Sequence, residues 1–249
     1  VNKFIETHNI VEVRSAQKDV YELYKGDASQ YDKERKLVIE RIYELVPSYL
    51  ENKKKRVHFN QIENKKQARA WQYQAEFEYL VKSGICNEVK AVSNPRFPLV
   101  ESESKNLLKL YLNDVGLLTR LLYQYSISAI MNDEKSVNLG SVYESVVCSE
   151  LVAHGFPLFY YDNKKKGEVE FLVNDYDLLS VVPVEVKSGK DYNIHASLEA
   201  FVSTPDYHIK QGFVLSNERE VTQNGKVTYL PVYFVMFFIP STPPEKMIV

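Results

Sequence analysis

Glu185 and Lys187 stand two residues apart in PVEVKSGK, and Glu168 and Glu170 stand the same way in GEVEFLV a little upstream. Successive side chains of a strand point to opposite faces, so an extended segment puts Glu185 and Lys187 on one face and Val182, Val184 and Val186 on the other. A carboxylate and an ammonium sharing a small volume, joined by a carboxylate from a neighbouring strand, make an oxygen-rich site. Mg²⁺ (or Mn²⁺) prefers oxygen ligands and retains waters, so Glu170 and Glu185 would hold it while Lys187 orients or deprotonates a water. Glu144, in GSVYESVVCSELVAHG, supplies a third carboxylate. At 100° per residue it falls between Val147 and Cys148 and in line with Leu151, along an apolar stripe. An ionised carboxylate there is costly unless paired or metal-bound. The candidate catalytic residues are therefore Glu170, Glu185 and Lys187, and the candidate metal ligands Glu144, Glu170 and Glu185. The plainer alternative is an exposed Glu–Lys pair on a half-buried strand, worth less than about 1 kcal/mol.

The elements that must position these groups read as a hairpin from Gly167 to Lys190. Both ends alternate, the middle carries Asn174, Asp175 and Asp177, and Val169, Phe171 and Val173 are expected on one face with Glu168 and Glu170 opposite. Before it come a helix from Asn138 to Gly155 and a strand from Leu158 to Tyr161. After it come a short helix from His195 to Ser203, the strand GFVLS and an apolar run to Ile239. Helix, strand, strand, strand, helix, strand is an α/β order. Lys164, Lys165 and Lys166, just ahead of the hairpin, are candidate nucleic-acid contacts or simply a basic turn.

The first hundred residues read as mostly helical. A helix is expected from about Asn9 to Tyr24. A break at YKGDASQYDKERK follows, with Asp27 and Ser29 as caps for a second helix whose buried side carries Leu37/Val38, Ile42, Leu45/Val46 and Tyr49/Leu50. Pro47 should kink or end it. The run Lys53 to Arg56 reads as a solvated linker or a phosphate contact. A helix through Ala68, Trp71, Ala75, Tyr79 and Leu80, stopped at Ser83-Gly84 and followed by a strand from Ile85 to Val92, ends the way a winged-helix unit ends. Lys65, Lys66 and Arg69 at its start could face a DNA groove, or the unit could be a rigid connector. NPRFPLVESESKN reads as a linker, which divides the chain into 1–104 and 105–249. LLKLYLNDVGLLTRLLYQY reads as helical or mixed, with Leu117, Leu118, Leu121 and Leu122 buried.

Composition narrows the classes. The 249 residues are 45% hydrophobic and 26% charged, ordinary for a globular chain. A net charge of −2 gives no general attraction to nucleic acid, so any such contact needs local basic patches. Cys86 and Cys148 lie in apolar patterns without metal-ligand spacing, which suits reduced thiols in a cytoplasmic protein. His8, His58, His154, His195 and His208 show no metal pairing, His154 reading as a cation at a helix C-terminus. The N-terminus lacks a signal-peptide pattern. The run from Tyr229 to Ile239 is too short to span a bilayer and contains Pro231, so it is expected to be a buried strand. Val1 and the ending STPPEKMIV suit a piece of a longer chain.

The GEVEF strand, the PVEVKSG strand and the preceding YESVV helix resemble the core of the PD-(D/E)XK, or restriction-endonuclease-like, superfamily. The resemblance implies a mixed sheet flanked by helices. In its terms Glu170 stands at the strand Asp, Glu185 and Lys187 are the E and K of its ExK element, and Glu144 matches the acidic residue of its first helix. Over nearly the whole chain, VNKF, Leu110 to Leu118, Val142 to Glu144, GEVEFLV and PVEVKSGK are similar to the C-terminal half of prokaryotic AAA-type ATP-binding proteins that end in such a domain of unknown function. That implies a helical lid and winged-helix-like part over 1–104, a nuclease-like domain over 105–249, DNA as partner and an ATPase module in the same protein. Glu170 departs from the usual Asp. No GxxxxGK[ST] loop is present, so ATP hydrolysis by this chain is not expected. The expected activity is Mg²⁺-dependent hydrolysis of DNA phosphodiesters; the alternative is an inactive module that binds nucleic acid or protein.

Overall fold

The computed structural model describes residues 2–240 apart from 53, 125, 133, 135, 136, 164–166 and 189–195. Five helices come first: α1 (Asn2–Thr7), α2 (Ile10–Tyr31), α3 (Lys36–Glu51), α4 (Phe59–Ile62) and α5 (Gln74–Lys82). Then come β1 (Cys86–Val92), β2 (Glu103–Leu112), α6 (Val115–Tyr123), α7 (Ile127–Met131) and α8 (Gly140–Ala153). The C-terminal part adds β3 (Phe159–Asn163), β4 (Gly167–Asp175), β5 (Ser180–Lys187), α9 (Ala196–Val202), β6 (Gly212–Ser216), β7 (Thr222–Asn224) and β8 (Val227–Pro231). A helical N-terminal region thus precedes a mixed sheet flanked by helices, an α/β fold. Strand order is β2-β1-β3-β4-β5-β6-β8-β7. β3, β4 and β5 are antiparallel neighbours, whereas β1–β3, β5–β6 and β6–β8 are parallel.

Residues cluster into two compact units, 1–88 with 105–149, and 89–104 with 150–249. The boundary read near residue 104 coincides with one of the three crossing points; the others fall inside β1 and α8.

In the first unit, α3 is the central helix. Ile39, Ile42, Tyr43, Val46, Tyr49 and Leu50 recur at helical spacing and are all buried, while Leu37, expected on that stripe, is 75% exposed. Pro47 does not end the helix and is buried inside it. Tyr21 of α2 stacks on Tyr43, ring centroids 4.6 Å apart. The expected break after Tyr24 is absent: α2 continues to Tyr31, so positions 27 and 29 lie within a helix rather than at the start of one. Asp32 instead makes the turn, its carboxylate accepting from the Glu34 and Arg35 amides at 2.9 and 3.0 Å. The expected helix through Trp71 resolves into a 3₁₀ turn (Ala70–Tyr73) followed by α5, with Trp71 69% exposed. The Ser83-Gly84 stop is as read, Gly84 having φ +74°.

Two apolar stretches take other forms than expected. ESKNLLKLYL is strand β2, with Leu110, Tyr111 and Leu112 buried, rather than the end of a linker and a helical or mixed segment. Asp114 then starts α6 by accepting from the Gly116 and Leu117 amides at 2.7 and 3.2 Å. The run from Tyr229 folds as the end of β8 and a 3₁₀ turn (Val232–Phe237), because Pro231 has no amide to continue the ladder.

Both cysteines are free and buried. Burial pushes the Cys86 thiol up to about 12 from an ordinary 9.0; burial and then Glu144 push Cys148 up, with Lys109 opposing. Thiolate is the reactive form, so neither thiol is expected to react with Ellman's reagent at pH 8 in native protein, and both should react after unfolding. The folded pKa of Cys86 lies above the unfolded one. Its contribution to stability is therefore fully present below about pH 9 and lost as pH rises from there toward 12.

In the second unit α9 packs on the sheet through Leu198, Phe201 and Val202, which join Phe159, Tyr161, Val169, Leu172, Val181 and Val214 in one core cluster. Gly167 opens β4 at φ +87°, and a Cβ there would meet Ser197 Oγ at 2.1 Å and Ser197 Cβ at 2.8 Å. Gly167→Ala is expected to cost about 1–3 kcal/mol from backbone strain and overpacking, read as a lower urea midpoint.

Candidate functional site

The β4–β5 hairpin is antiparallel, with Phe171, Leu172, Val173, Asn174 and Asp175 opposite Val184, Pro183, Val182, Val181 and Ser180. Its turn is made as the polar residues suggested. Asp175 Oδ1 accepts from the amides of Asp177 and Leu178 at 3.0 and 2.9 Å, and Asn174 Oδ1 accepts from the Leu99 amide at 3.1 Å. All six apolar residues expected to bury, Val169, Phe171, Val173, Val182, Val184 and Val186, are at most 6% exposed.

They do not line a single face. Phe159 pairs with Leu172 and Tyr161 with Val169, so two steps along β3 match three along β4, and Glu170 and Phe171 together oppose Tyr160. This is a β-bulge, which inserts one residue and breaks strict alternation. Val169 consequently joins the α9-side cluster with Leu172, while Val173 and Val182 line a groove with Phe213 and Phe238. The expected grouping of Val169 with Phe171 and Val173 is corrected accordingly. Glu170 sits inside the bulge, one residue past the Phe171–Val184 pair, on the strand next to Glu185. Bulges recur beside functional sites because they re-aim a side chain.

Glu185 and Lys187 come together as their spacing predicts: Lys187 Nζ donates to Glu185 Oε1 at 2.6 Å. Val181 shares their side of β5 and belongs to the α9-side cluster, and the parallel partners of Glu185 and Lys187 are Val214 and Ser216. The strand is not half exposed. β5 is buried from Ser180 to Val186, and the Glu185 side chain is only 4% exposed against 28% for Lys187. Glu185 Oε2 is buried and has no hydrogen-bond partner among the described residues. A carboxylate so placed has lost water at one oxygen and regained only one cationic contact at the other, a costly arrangement for a purely structural pair.

Glu144 is buried, as its place on the apolar stripe predicts, with Ser141, Ser145, Val147, Cys148 and Leu151 buried on the same side of α8. The opposite side is more open: Val146 is 40% exposed, and Ala153 is exposed. Glu144 lies in the first unit, and so do its partners. Lys55 Nζ forms an ion pair with Oε1, and the Tyr111 hydroxyl donates to Oε2 at 3.2 Å. Lys55 therefore belongs to neither of the readings given to the Lys53–Arg56 run, since its ammonium neutralises a buried carboxylate. Glu170, Glu185 and Lys187 all lie in the second unit.

Among the candidate nucleic-acid contacts, Lys164, Lys165 and Lys166 lie outside the described residues. Lys65 pairs with Glu63 at 2.9 Å, while Lys66 and Arg69 are exposed ahead of the 3₁₀ turn. His154 Nδ1 lies 2.6 Å from Phe238 O and Nε2 lies 3.4 Å from Glu150. The sequence did not point to Tyr111 as a partner of Glu144, because LLKLYL reads as helical or mixed. Nor did it single out Arg14, a lone arginine in a helical pattern, although it is buried.

The fold and the hairpin define an α/β chain in which a helical region precedes a sheet bearing a buried carboxylate–lysine pair. The chain belongs to the family described as Domain of unknown function (DUF8612), whose family model matches residues 1–127. A second family model, Domain of unknown function (DUF4143), matches residues 139–235, which include the hairpin. No curated protein and no solved structure gives a significant match. Among the described residues, no helix is long and apolar enough to cross a membrane.

Proposed function

We propose that the β4–β5 hairpin is the centre of a PD-(D/E)XK-type phosphodiesterase acting on DNA with Mg²⁺ or Mn²⁺. The observation that carries this reading is Glu185, buried, with Oε1 on Lys187 and Oε2 without a partner among the described residues. A lone-pair-rich oxygen of that kind suits a hard cation, and Mg²⁺ commonly takes one or two carboxylates plus waters and substrate phosphate oxygens. Glu170 and Glu185, both in the second unit, would hold it. When bound, such an ion neutralises charge developing on the phosphate and acidifies water. Lys187 carries its ammonium beside the carboxylate and is the group that orients the attacking water by donating a hydrogen bond. The order α8, β3, β4, β5, α9, β6 contains the helix and the two strands on which the superfamily resemblance rests. The family matched over 139–235 is associated with AAA-type ATPases, which supports reading the chain as the nuclease-like part of such a protein. Supercoiled plasmid incubated with the protein and Mg²⁺ or Mn²⁺ is expected to be nicked. Equal nicking by a Lys187→Ala/Glu185→Ala double variant would refute the proposal.

A second reading, a non-catalytic module binding nucleic acid or protein, has its own support. Both Glu144 oxygens already have partners, and among the described residues no three His, Cys, Asp or Glu side chains gather as a metal cluster. It predicts DNA retention without cleavage, measurable by electrophoretic mobility shift in EDTA.

A further inference from the structure

A different place in the chain brings two arginines together. Arg14 of α2 is only 6% exposed, and its Nη1 donates to Gln17 Oε1 at 2.9 Å, Thr119 Oγ1 at 3.1 Å and Gly116 O at 3.4 Å. Its Nε is buried without a hydrogen-bond partner among the described residues. Arg120 of α6 lies alongside, its Nε donating to the Arg14 carbonyl at 2.8 Å. Every acceptor named for these guanidiniums is neutral. Burial and then the neighbouring Arg120 charge lower the Arg14 pKa. Both arginines, with Leu121 and Gln124, line a pocket of about 260 Å³. Gln124 holds φ +46°, a conformation side chains rarely adopt and one that recurs at binding sites.

A buried guanidinium is retained when something negative completes its fork, and the arginine fork matches phosphate oxygens in two parallel hydrogen bonds. The pocket lies just below the size range of drug-like ligand sites, about 300–1,000 Å³, so a small anion fits it better than a large ligand. We propose that Arg14, Arg120 and Gln124 form a binding site for a phosphate group, free or on a small ester such as a nucleotide. The site lies wholly in the first unit and is independent of the hairpin chemistry.

Isothermal titration of the full chain with inorganic phosphate, and separately with adenosine monophosphate, at constant ionic strength tests it. Saturable one-site binding of at least one probe is expected. Tighter binding of the nucleotide would assign an ester, and tighter binding of inorganic phosphate the free anion. Arg120→Gln should weaken binding at least tenfold with an unchanged circular dichroism spectrum. Gln124→Glu, at an exposed rim position, should weaken it comparably by setting a carboxylate against the anion. The proposal is overturned if neither probe binds saturably, or if Gln124→Glu binds phosphate as tightly as the unaltered protein.

Discussion

Replacing Glu185 by glutamine is expected to reduce metal-dependent plasmid nicking at least about a hundredfold, the upper end of what losing even an outer-sphere metal partner costs, while leaving stability unchanged or raised. The two expectations come from one geometry. The Glu185 carboxylate is buried, its Oε1 held by Lys187, and Glu170 occupies the neighbouring strand. Glutamine keeps the shape and an oxygen for the lysine, but removes the negative charge that needs a cation. Groups kept for chemistry rather than packing are those whose removal does not weaken the fold. If Glu185→Gln lost cleavage only in proportion to lost folded protein, the residue would be structural. Lys187 is partly exposed, so its ammonium can regain water when its partner is neutralised.

Glu144→Ala is expected to cost about 3–5 kcal/mol in urea unfolding, because it strips a buried ion pair of one member. Lys55 would keep an ammonium whose side chain is only 20% exposed, and Tyr111, fully buried, would lose the acceptor of its hydroxyl. Glu144→Gln should cost less, since its amide oxygen still accepts from Tyr111. Lys55→Met should also destabilise, as it removes the ammonium paired with the buried carboxylate. A cost below about 1 kcal/mol for Glu144→Ala would place this pair with exposed salt bridges and leave the carboxylate free for a ligand role.

The site was legible in the sequence where local periodicity decides structure. Val182, Val184 and Val186 against Glu185 and Lys187 state a strand and its faces, and Asn174, Asp175 and Asp177 state the turn. The burial of Glu144 followed from helical spacing alone. What stayed hidden depended on partners distant in sequence. The bulge at Glu170 and Phe171 comes from pairing with β3, which no pattern within GEVEFLV contains. Lys55 looked like one cation of a solvated run because Glu144 lies 89 positions away. LLKLYL alternates and also satisfies a helix, and only the sheet order makes it β2. The α2 helix passes through Gly26 because packing against α3 and α6 outweighs the roughly 1 kcal/mol a helical glycine costs.

The most direct measurement of the central claim is calorimetric titration of the protein with Mn²⁺ in the absence of DNA, repeated on Glu170→Ala and Glu185→Gln. The hairpin reading predicts saturable binding by the unaltered chain, weakened at least tenfold in each variant while the far-ultraviolet spectrum is retained. No saturable binding, or binding that both variants keep, would contradict it.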